Sequence, residues 1–123
     1  MADLKFTEDH AWIRIDGDIA TIGITDFAQE QLGDVVFVQL PDEGASMALG
    51  QEAAVIESVK AAGEIKSPVS GSVTAVNTDL VDHPERINDD PTGEGWFYRI
   101  KMDSPADYDG LLDDAAYQAL IAS

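Results

Sequence analysis

Short apolar runs, several of them alternating with polar residues, divide this chain into segments of strand length. Residues 5–24 hold two such runs separated by Asp16-Gly17-Asp18, and an Asp-Gly pair in that setting is typical of a β-hairpin turn. Residues 35–38 form a β-branched and aromatic run that is too short for a helix, and Pro41-Asp42-Glu43-Gly44 follows it as a turn. The pattern therefore predicts a hairpin followed by a buried strand.

The second half of the chain repeats this organisation. Further short strands are predicted over residues 52–59, 63–66, 72–76 and 96–102. Regularly spaced short strands favour a compact sandwich or barrel. We therefore expect a mainly β fold of short antiparallel strands, accompanied by short helices.

Two helices are predicted from their ends and their apolar positions. Thr25-Asp26 is a suitable N-cap for residues 27–32, and Gly33 is a suitable stop. A C-terminal helix is expected around residues 113–121, begun by Asp113-Asp114 and packed on the sheet. The apolar face of this second helix consists of Ala116, Tyr117, Leu120 and Ile121.

The segment 80–95 is rich in Asp, Asn, Pro and Gly, which predicts a loop with at most one helical turn around residues 84–87. With 123 residues the whole chain has the length of one domain, so residues 1–123 are expected to share one core. No apolar run approaches the roughly 18 residues of a membrane span. The N-terminal residues lack a secretory or organelle-targeting pattern, and a cytoplasmic location is expected.

The amino-acid composition excludes several kinds of functional site. The chain has no cysteine, which excludes disulfides, zinc–thiolate sites, iron–sulfur clusters and a protein thiol nucleophile. Any sulfur chemistry must therefore come from a bound group. His10 and His83 are far apart and show no paired-ligand spacing, so no metal site is expected.

The charge balance limits the partners. Twenty-four acidic and seven basic residues give a net charge of -17, which disfavours binding to nucleic acid and to anionic membranes. The simplest interpretation is that acidity keeps a small protein dissolved and monomeric. Docking to basic protein surfaces is the alternative.

Residues 50–71 contain the pattern that indicates a function. Lys60 stands between two predicted strands and is followed by the small residues Ala61, Ala62 and Gly63. A lysine at a narrow hairpin tip projects from the sheet, and small neighbours leave its amine accessible to a modifying enzyme. An ordinary solvated turn lysine is the competing interpretation, whereas Lys66, inside a strand pattern, is not expected to be modified.

Residues 57–62, with the Ser67-Pro68-Val69-Ser70-Gly71 segment, resemble the lipoylation segment of glycine cleavage H-proteins. The resemblance implies that Lys60 is the attachment site of lipoate, present as N6-lipoyl-lysine. It also implies that Glu57, three residues before the lysine, and Gly71, eleven residues after it, help the attaching enzyme recognise the hairpin. A surface acid and a turn glycine are the purely structural interpretations of these two residues.

The resemblance extends over nearly the whole chain. It includes residues 20–26, residues 32–41, Ile87-Asn88, Asp90-Pro91 and residues 93–96. The last matches distinguish H-proteins from the shorter lipoyl domains of 2-oxoacid dehydrogenases. The implied fold is a lipoyl-domain-like barrel-sandwich hybrid with the lipoyl hairpin around residues 52–76.

Two residues depart from the family pattern. Ala11 stands where the family usually has glutamate, and Phe27 stands where it often has histidine. The family links both positions to the cleft in which the loaded arm rests. We therefore expect weaker holding of the loaded arm in this chain.

The implied function is carriage rather than catalysis. The chain would take the aminomethyl group of glycine from a pyridoxal-phosphate glycine decarboxylase, the P-protein, to a tetrahydrofolate-dependent aminomethyltransferase, the T-protein. It would then present dihydrolipoyl to a dihydrolipoyl dehydrogenase, the L-protein. A lipoate-attaching enzyme would be a further partner.

Three alternatives remain at this point. An H-like protein could donate lipoyl groups to other proteins, and a biotinyl carrier uses a similar hairpin lysine. Biotinyl domains usually place methionines beside the lysine, whereas Val59 and Ala61 flank Lys60 here. An enzyme with a Ser70 and His10 triad is the third alternative, but the chain has no nucleophile-elbow motif.

Overall fold

The structure is a computed structural model that describes residues 4–103 and 106–122. These residues form nine short strands and five helices. The strands are β1 (Leu4–Phe6), β2 (Ala11–Asp16), β3 (Ile19–Ile24), β4 (Val35–Gln39), β5 (Ser46–Met47), β6 (Glu52–Ser58), β7 (Ala62–Lys66), β8 (Gly71–Val76) and β9 (Tyr98–Met102). The helices are α1 (Asp26–Leu32), α2 (Asp79–Asp82), α3 (Arg86–Asp89), α4 (Ala106–Asp109) and α5 (Asp114–Ala122).

The strands form two antiparallel sheets. The larger has the order β1-β2-β3-β9-β8-β5, and the smaller has the order β4-β6-β7. Inward side chains from both sheets, including Ile22, Ile56 and Ile100, belong to one apolar core. The expected mainly β class with short helices is confirmed. Among the described residues, no helix is long and apolar enough to cross a membrane.

Local sequence accounts for the first hairpin and the first helix. Gly17 has a φ of 67° at the first central position of the β2–β3 turn, a conformation that glycine adopts without steric cost. Thr25 caps α1 by accepting a hydrogen bond from the Ala28 N–H, and the Gly33 N–H donates to the Gln29 carbonyl at the other end. The predicted cap and stop of this helix are both confirmed.

The C-terminal helix packs against the start of the larger sheet. Tyr117 of α5 stacks on Phe6 with 4.6 Å between ring centroids, and Trp12 belongs to the same small apolar cluster. Ile121 is partly buried there, whereas Ala116 and Leu120 are exposed. The predicted helix is confirmed, but its apolar face is narrower than its spacing suggested.

Residues 80–95 contain two short helices: α3 overlaps the helical turn predicted around residues 84–87, whereas α2 was not predicted. Each has only four residues, which is too short to produce a helical periodicity in the sequence. Each is anchored by one fully buried side chain, Leu80 in α2 and Ile87 in α3. This segment therefore packs on the core and approaches the smaller sheet, where the carrier lysine candidate lies.

Candidate functional site

Lys60 lies at the exposed tip of the β6–β7 hairpin, and Ser58 holds that tip together. The Ser58 hydroxyl accepts hydrogen bonds from the backbone N–H groups of Lys60 at 3.2 Å and Ala61 at 3.1 Å. It donates to the Ala61 carbonyl at 3.0 Å, which also accepts from the Ser58 N–H at 2.8 Å. The backbone that carries Lys60 is therefore fixed, while its side chain is exposed.

The neighbouring segment supports the hairpin from one side. The Val59 N–H donates to the Asp34 carbonyl at 3.0 Å. Gly33 has a φ of 76°, and a Cβ at this position would lie 3.3 Å from the Lys60 Cε. The side of Gly33 that lacks a side chain therefore faces the lysine. The stem of Lys60 therefore passes over the end of α1, in space that a larger residue at position 33 would fill.

Asn88 of α3 forms hydrogen bonds to the segment between the end of α1 and the start of β4. Its Nδ2 donates to the Gly33 carbonyl at 2.8 Å and to the Gln29 Oε1 at 3.0 Å. Its Oδ1 accepts from the Val35 N–H at 2.9 Å. In the sequence, Asn88 is recognisable only as part of a family match. The order of polar and apolar residues does not indicate which distant backbone groups its side chain contacts.

Acidic side chains dominate the surface of the hairpin. Glu57 is exposed on β6, in register with Ala62 of β7 and Phe37 of β4. At the base of the hairpin, a hydrogen bond with Glu52 and the charge of that residue raise the pKa of Glu64. Glu57 and Lys60, both predicted site residues, therefore lie at the same end of the small sheet.

Gly71 is not at the hairpin tip. It is buried at the start of β8 in the larger sheet, paired with Met102 of β9 and Met47 of β5. A Cβ on Gly71 would overlap the backbone carbonyl of Lys101. The geometry favours the structural interpretation of this glycine, although it lies in a strand rather than a turn.

The two departures from the family pattern occupy different environments. Ala11 is buried, and its N–H donates to the Thr7 hydroxyl at 3.1 Å. Phe27 packs against His10 with 4.8 Å between ring centroids, beside a cavity of about 350 Å³ that Tyr117 also lines. Weaker holding of a loaded arm stays a prediction.

The glycine cleavage H-protein family model matches residues 4–123, which is nearly the entire chain. The chain belongs to the glycine cleavage H-protein family. Two curated relatives named glycine cleavage system H protein agree with this assignment. The relative from Parvibaculum lavamentivorans is 55% identical over 123 residues, covering 100% of this chain and 98% of the relative. The relative from Rhodospirillum rubrum is 52% identical over 122 residues, covering 98% and 97% respectively.

A solved structure of an H-protein has the same fold. The crystal structure of a glycine cleavage system H protein from Mycobacterium marinum superposes with a TM-score of 0.90 at 37% identity, covering 98% of both chains. Members of this family are lipoyl-bearing carrier components of the glycine cleavage system and are not catalysts. The partners of this chain are accordingly components of that system.

Proposed function

We propose that Lys60 carries lipoate as N6-lipoyl-lysine and that the chain shuttles the aminomethyl group of glycine between enzymes. The donor is the pyridoxal-phosphate glycine decarboxylase, the P-protein, and the acceptor is the tetrahydrofolate-dependent aminomethyltransferase, the T-protein. The dihydrolipoyl dehydrogenase, or L-protein, then reoxidises the arm. The observation that supports this proposal best is an exposed lysine on a tightly hydrogen-bonded hairpin tip.

The residues around Lys60 fit a long covalent arm. Ala61 and Ala62 are exposed and small, so neither blocks the amine. The missing side chain at Gly33 leaves a passage for the lysine stem over the end of α1. When bound, lipoate supplies the disulfide and thiol chemistry that a chain without cysteine lacks.

The chain's own contribution is to hold the base of the arm. Ser58 fixes the backbone on both sides of Val59, and the Asp34 carbonyl fixes Val59 itself. A rigid base with a mobile side chain confines the arm to a small volume beside the docked enzyme, which raises its effective concentration there, to millimolar order for a short flexible tether. Acylation also removes the positive charge of Lys60, so the net charge of the protein becomes more negative by one.

The assignment is tested with two lysines of the same hairpin. Lys60→Arg keeps the charge but lacks the amine that forms the amide, whereas Lys66→Arg changes an exposed lysine at the base of β7. Each variant is incubated with an ATP-dependent lipoate ligase, lipoate and ATP, and examined by intact mass and peptide mapping. We expect one lipoyl group on the wild type and on Lys66→Arg, and none on Lys60→Arg.

Glycine–bicarbonate exchange with the P-protein then separates the carrier role from a lipoyl-donor role. The lipoylated wild type and Lys66→Arg should support exchange, and Lys60→Arg should reduce it to background with an unchanged circular dichroism spectrum. A biotin adduct, modification confined to Lys66, or full exchange by Lys60→Arg would contradict the proposal. Lipoylation at Lys60 without exchange would favour the lipoyl donor instead.

A further inference from the structure

An apolar patch is formed by β4 and the hairpin tip, where the Val59 N–H donates to the Asp34 carbonyl just before β4. It consists of Val36 and Phe37 of β4, exposed by 56% and 45%, and Val59 of the hairpin tip, exposed by 67%. Clusters of exposed apolar side chains on small proteins commonly mark interaction sites. The Val36-Phe37 pair is the part of the patch that the hairpin itself does not supply.

A β-bulge produces this patch. The register of β4 against β6 shifts between Val35 and Phe37, so Val36 is the additional residue. Consecutive strand residues normally point to opposite faces, and a bulge redirects one of them. Here Val36 and Phe37 are both exposed, while Val35 and Val38 are buried on either side of them. The Asn88 side chain accepts a hydrogen bond from the Val35 N–H at the start of the bulge.

The surroundings of the patch are strongly acidic. Residues 26–66, which supply α1, β4, β6 and β7, contain eight acidic residues and two lysines, Lys60 and Lys66. Asp34 and Glu57 are exposed next to the patch, the first directly before β4 and the second in register with Phe37. A complementary partner therefore has an apolar recess bordered by lysine or arginine side chains.

We propose that Val36 and Phe37 are the docking surface for the lipoate-attaching enzyme, an inference that rests on the proposed lipoylation of Lys60. The attaching enzyme differs from enzymes that act on the finished arm, because its target is the Lys60 amine itself. Its active site must come within the length of one lysine side chain of the hairpin backbone. The stem of that lysine lies over Gly33, two residues before β4. The enzyme therefore covers the adjacent bulge.

The transfer step requires no redox partner. The enzyme forms an acyl adenylate from lipoate and ATP and releases pyrophosphate. The deprotonated Lys60 amine attacks the acyl carbon, so that a C–N bond forms and the bond from that carbon to the phosphate oxygen breaks. AMP leaves with the bonding electron pair, and the amine loses a proton to solvent. Val36 and Phe37 take no part in these steps and act through binding.

Steady-state lipoylation of the full-length apo-protein tests the surface. Val36→Thr, Phe37→Thr and the double variant remove apolar surface while keeping residues that favour strands. Leu49→Thr is the matched control, since Leu49 is 59% exposed in the turn before β6, at the opposite end of the hairpin from Lys60. With a purified ATP-dependent lipoate ligase, Phe37→Thr should raise KM for the apo-protein at least about fivefold, and the double variant about tenfold or more. We expect kcat to stay within twofold, and KM of Leu49→Thr to be unchanged.

A pair of charge variants tests the acidic border. Asp34→Asn should raise KM about twofold to threefold at low salt and make KM less dependent on sodium chloride, because one screened attraction is lost. Asp42→Asn, at the exposed turn beyond the opposite end of β4, should do neither.

The possible results separate the docking surface from the function on which it rests. If Val36→Thr and Phe37→Thr have a KM within twofold of Leu49→Thr, or lose kcat at unchanged KM, the docking surface is wrong while lipoylation of Lys60 stands. If the wild type receives no lipoyl group on Lys60, the proposed function fails and the docking surface fails with it. A selective rise in KM for the patch variants, with native circular dichroism spectra, supports the proposal.

Discussion

At Gly71 two strands approach so closely that no side chain fits. The backbone carbonyl of Lys101 occupies the position that a Cβ would take, and the residue is paired on both sides within the sheet. Moving the chain away would break the β8–β9 pairing. The local geometry therefore explains this glycine without reference to an attaching enzyme.

Gly71→Ala should consequently destabilise the fold by about 1–3 kcal/mol, as overpacking of a closed site does. Urea unfolding measures this change. Gly63→Ala is the control, because nothing lies within 4 Å of the corresponding Cβ position on β7, and its stability should be unchanged or slightly higher.

The Gly71→Ala variant also separates packing from enzyme recognition. At a temperature where this variant is folded, its rate of lipoylation should stay within about twofold of the wild-type rate. Wild-type stability combined with a large loss of lipoylation would instead support the recognition role that the family resemblance implies.

Among the secondary-structure elements, α3 has a direct effect on the hairpin tip. Its Asn88 joins the end of α1 to the start of β4, and the Asp34 carbonyl between them accepts the Val59 N–H. The support of Lys60 therefore depends on α3, which overlaps the single helical turn predicted around residues 84–87. A four-residue element contributes here through hydrogen bonds rather than through apolar area.

Asn88→Ala should lower stability by about 1–3 kcal/mol, because the Gly33 carbonyl and the Val35 N–H lose their Asn88 partner. It should also accelerate hydrogen exchange of the Val59 amide about tenfold beyond the change in global stability. Native-state exchange followed by NMR measures both effects.

Asn77→Ala is the matched control for that measurement. The Asn77 Nδ2 donates to the carbonyls of Glu94 and Trp96, at the other end of the same segment. We expect the control to lose stability without selective acceleration at Val59. Equal acceleration in both variants would show that Asn88 acts through general stability instead of positioning the hairpin.

On the scale of the whole molecule, the main core contains an ionisable group whose charged form is disfavoured by burial. Tyr98 is fully buried between the sheets, and the Ser67 side chain is the hydrogen-bonding group beside its hydroxyl. Burial raises the pKa of Tyr98 to about 12. In the unfolded chain the phenol ionises near its ordinary pKa of about 10.

Global stability should therefore fall between pH 10 and pH 12. The unfolded state releases the Tyr98 proton first, so the contribution of the neutral phenol is complete below pH 10 and is lost as the pH rises towards 12. Two pKa units correspond to about 2–3 kcal/mol. Tyr98→Phe should lie within about 1–2 kcal/mol of the wild type at pH 8, since at most one hydrogen bond is lost, and should not show this part of the alkaline loss. Parallel curves of unfolding free energy against pH for the two proteins would show that Tyr98 does not cause the alkaline loss of stability.

Much of the architecture could be predicted because its signals are local. The alternating runs, the Asp-Gly turn and the cap and stop of α1 each depend on a few adjacent residues, and the structure confirms them. The position of Lys60 between two strands was also predictable, since small residues interrupt a strand pattern there. Family resemblance supplied the suggestion of lipoate, which no local pattern contains.

The remaining features depend on residues that are distant in the sequence. The two-residue strand β5 exists through its pairing with β8, and the exposure of both Val36 and Phe37 depends on the register against β6. Likewise, Asn88 contacts Gly33 although the two residues are 55 positions apart in the sequence. The sequence by itself determined most of the strands, the first hairpin turn and the lysine at the tip, because short-range backbone preferences decide those. The tertiary structure alone decided what supports the lysine and which surface adjoins it, because those contacts form only when the two sheets pack together.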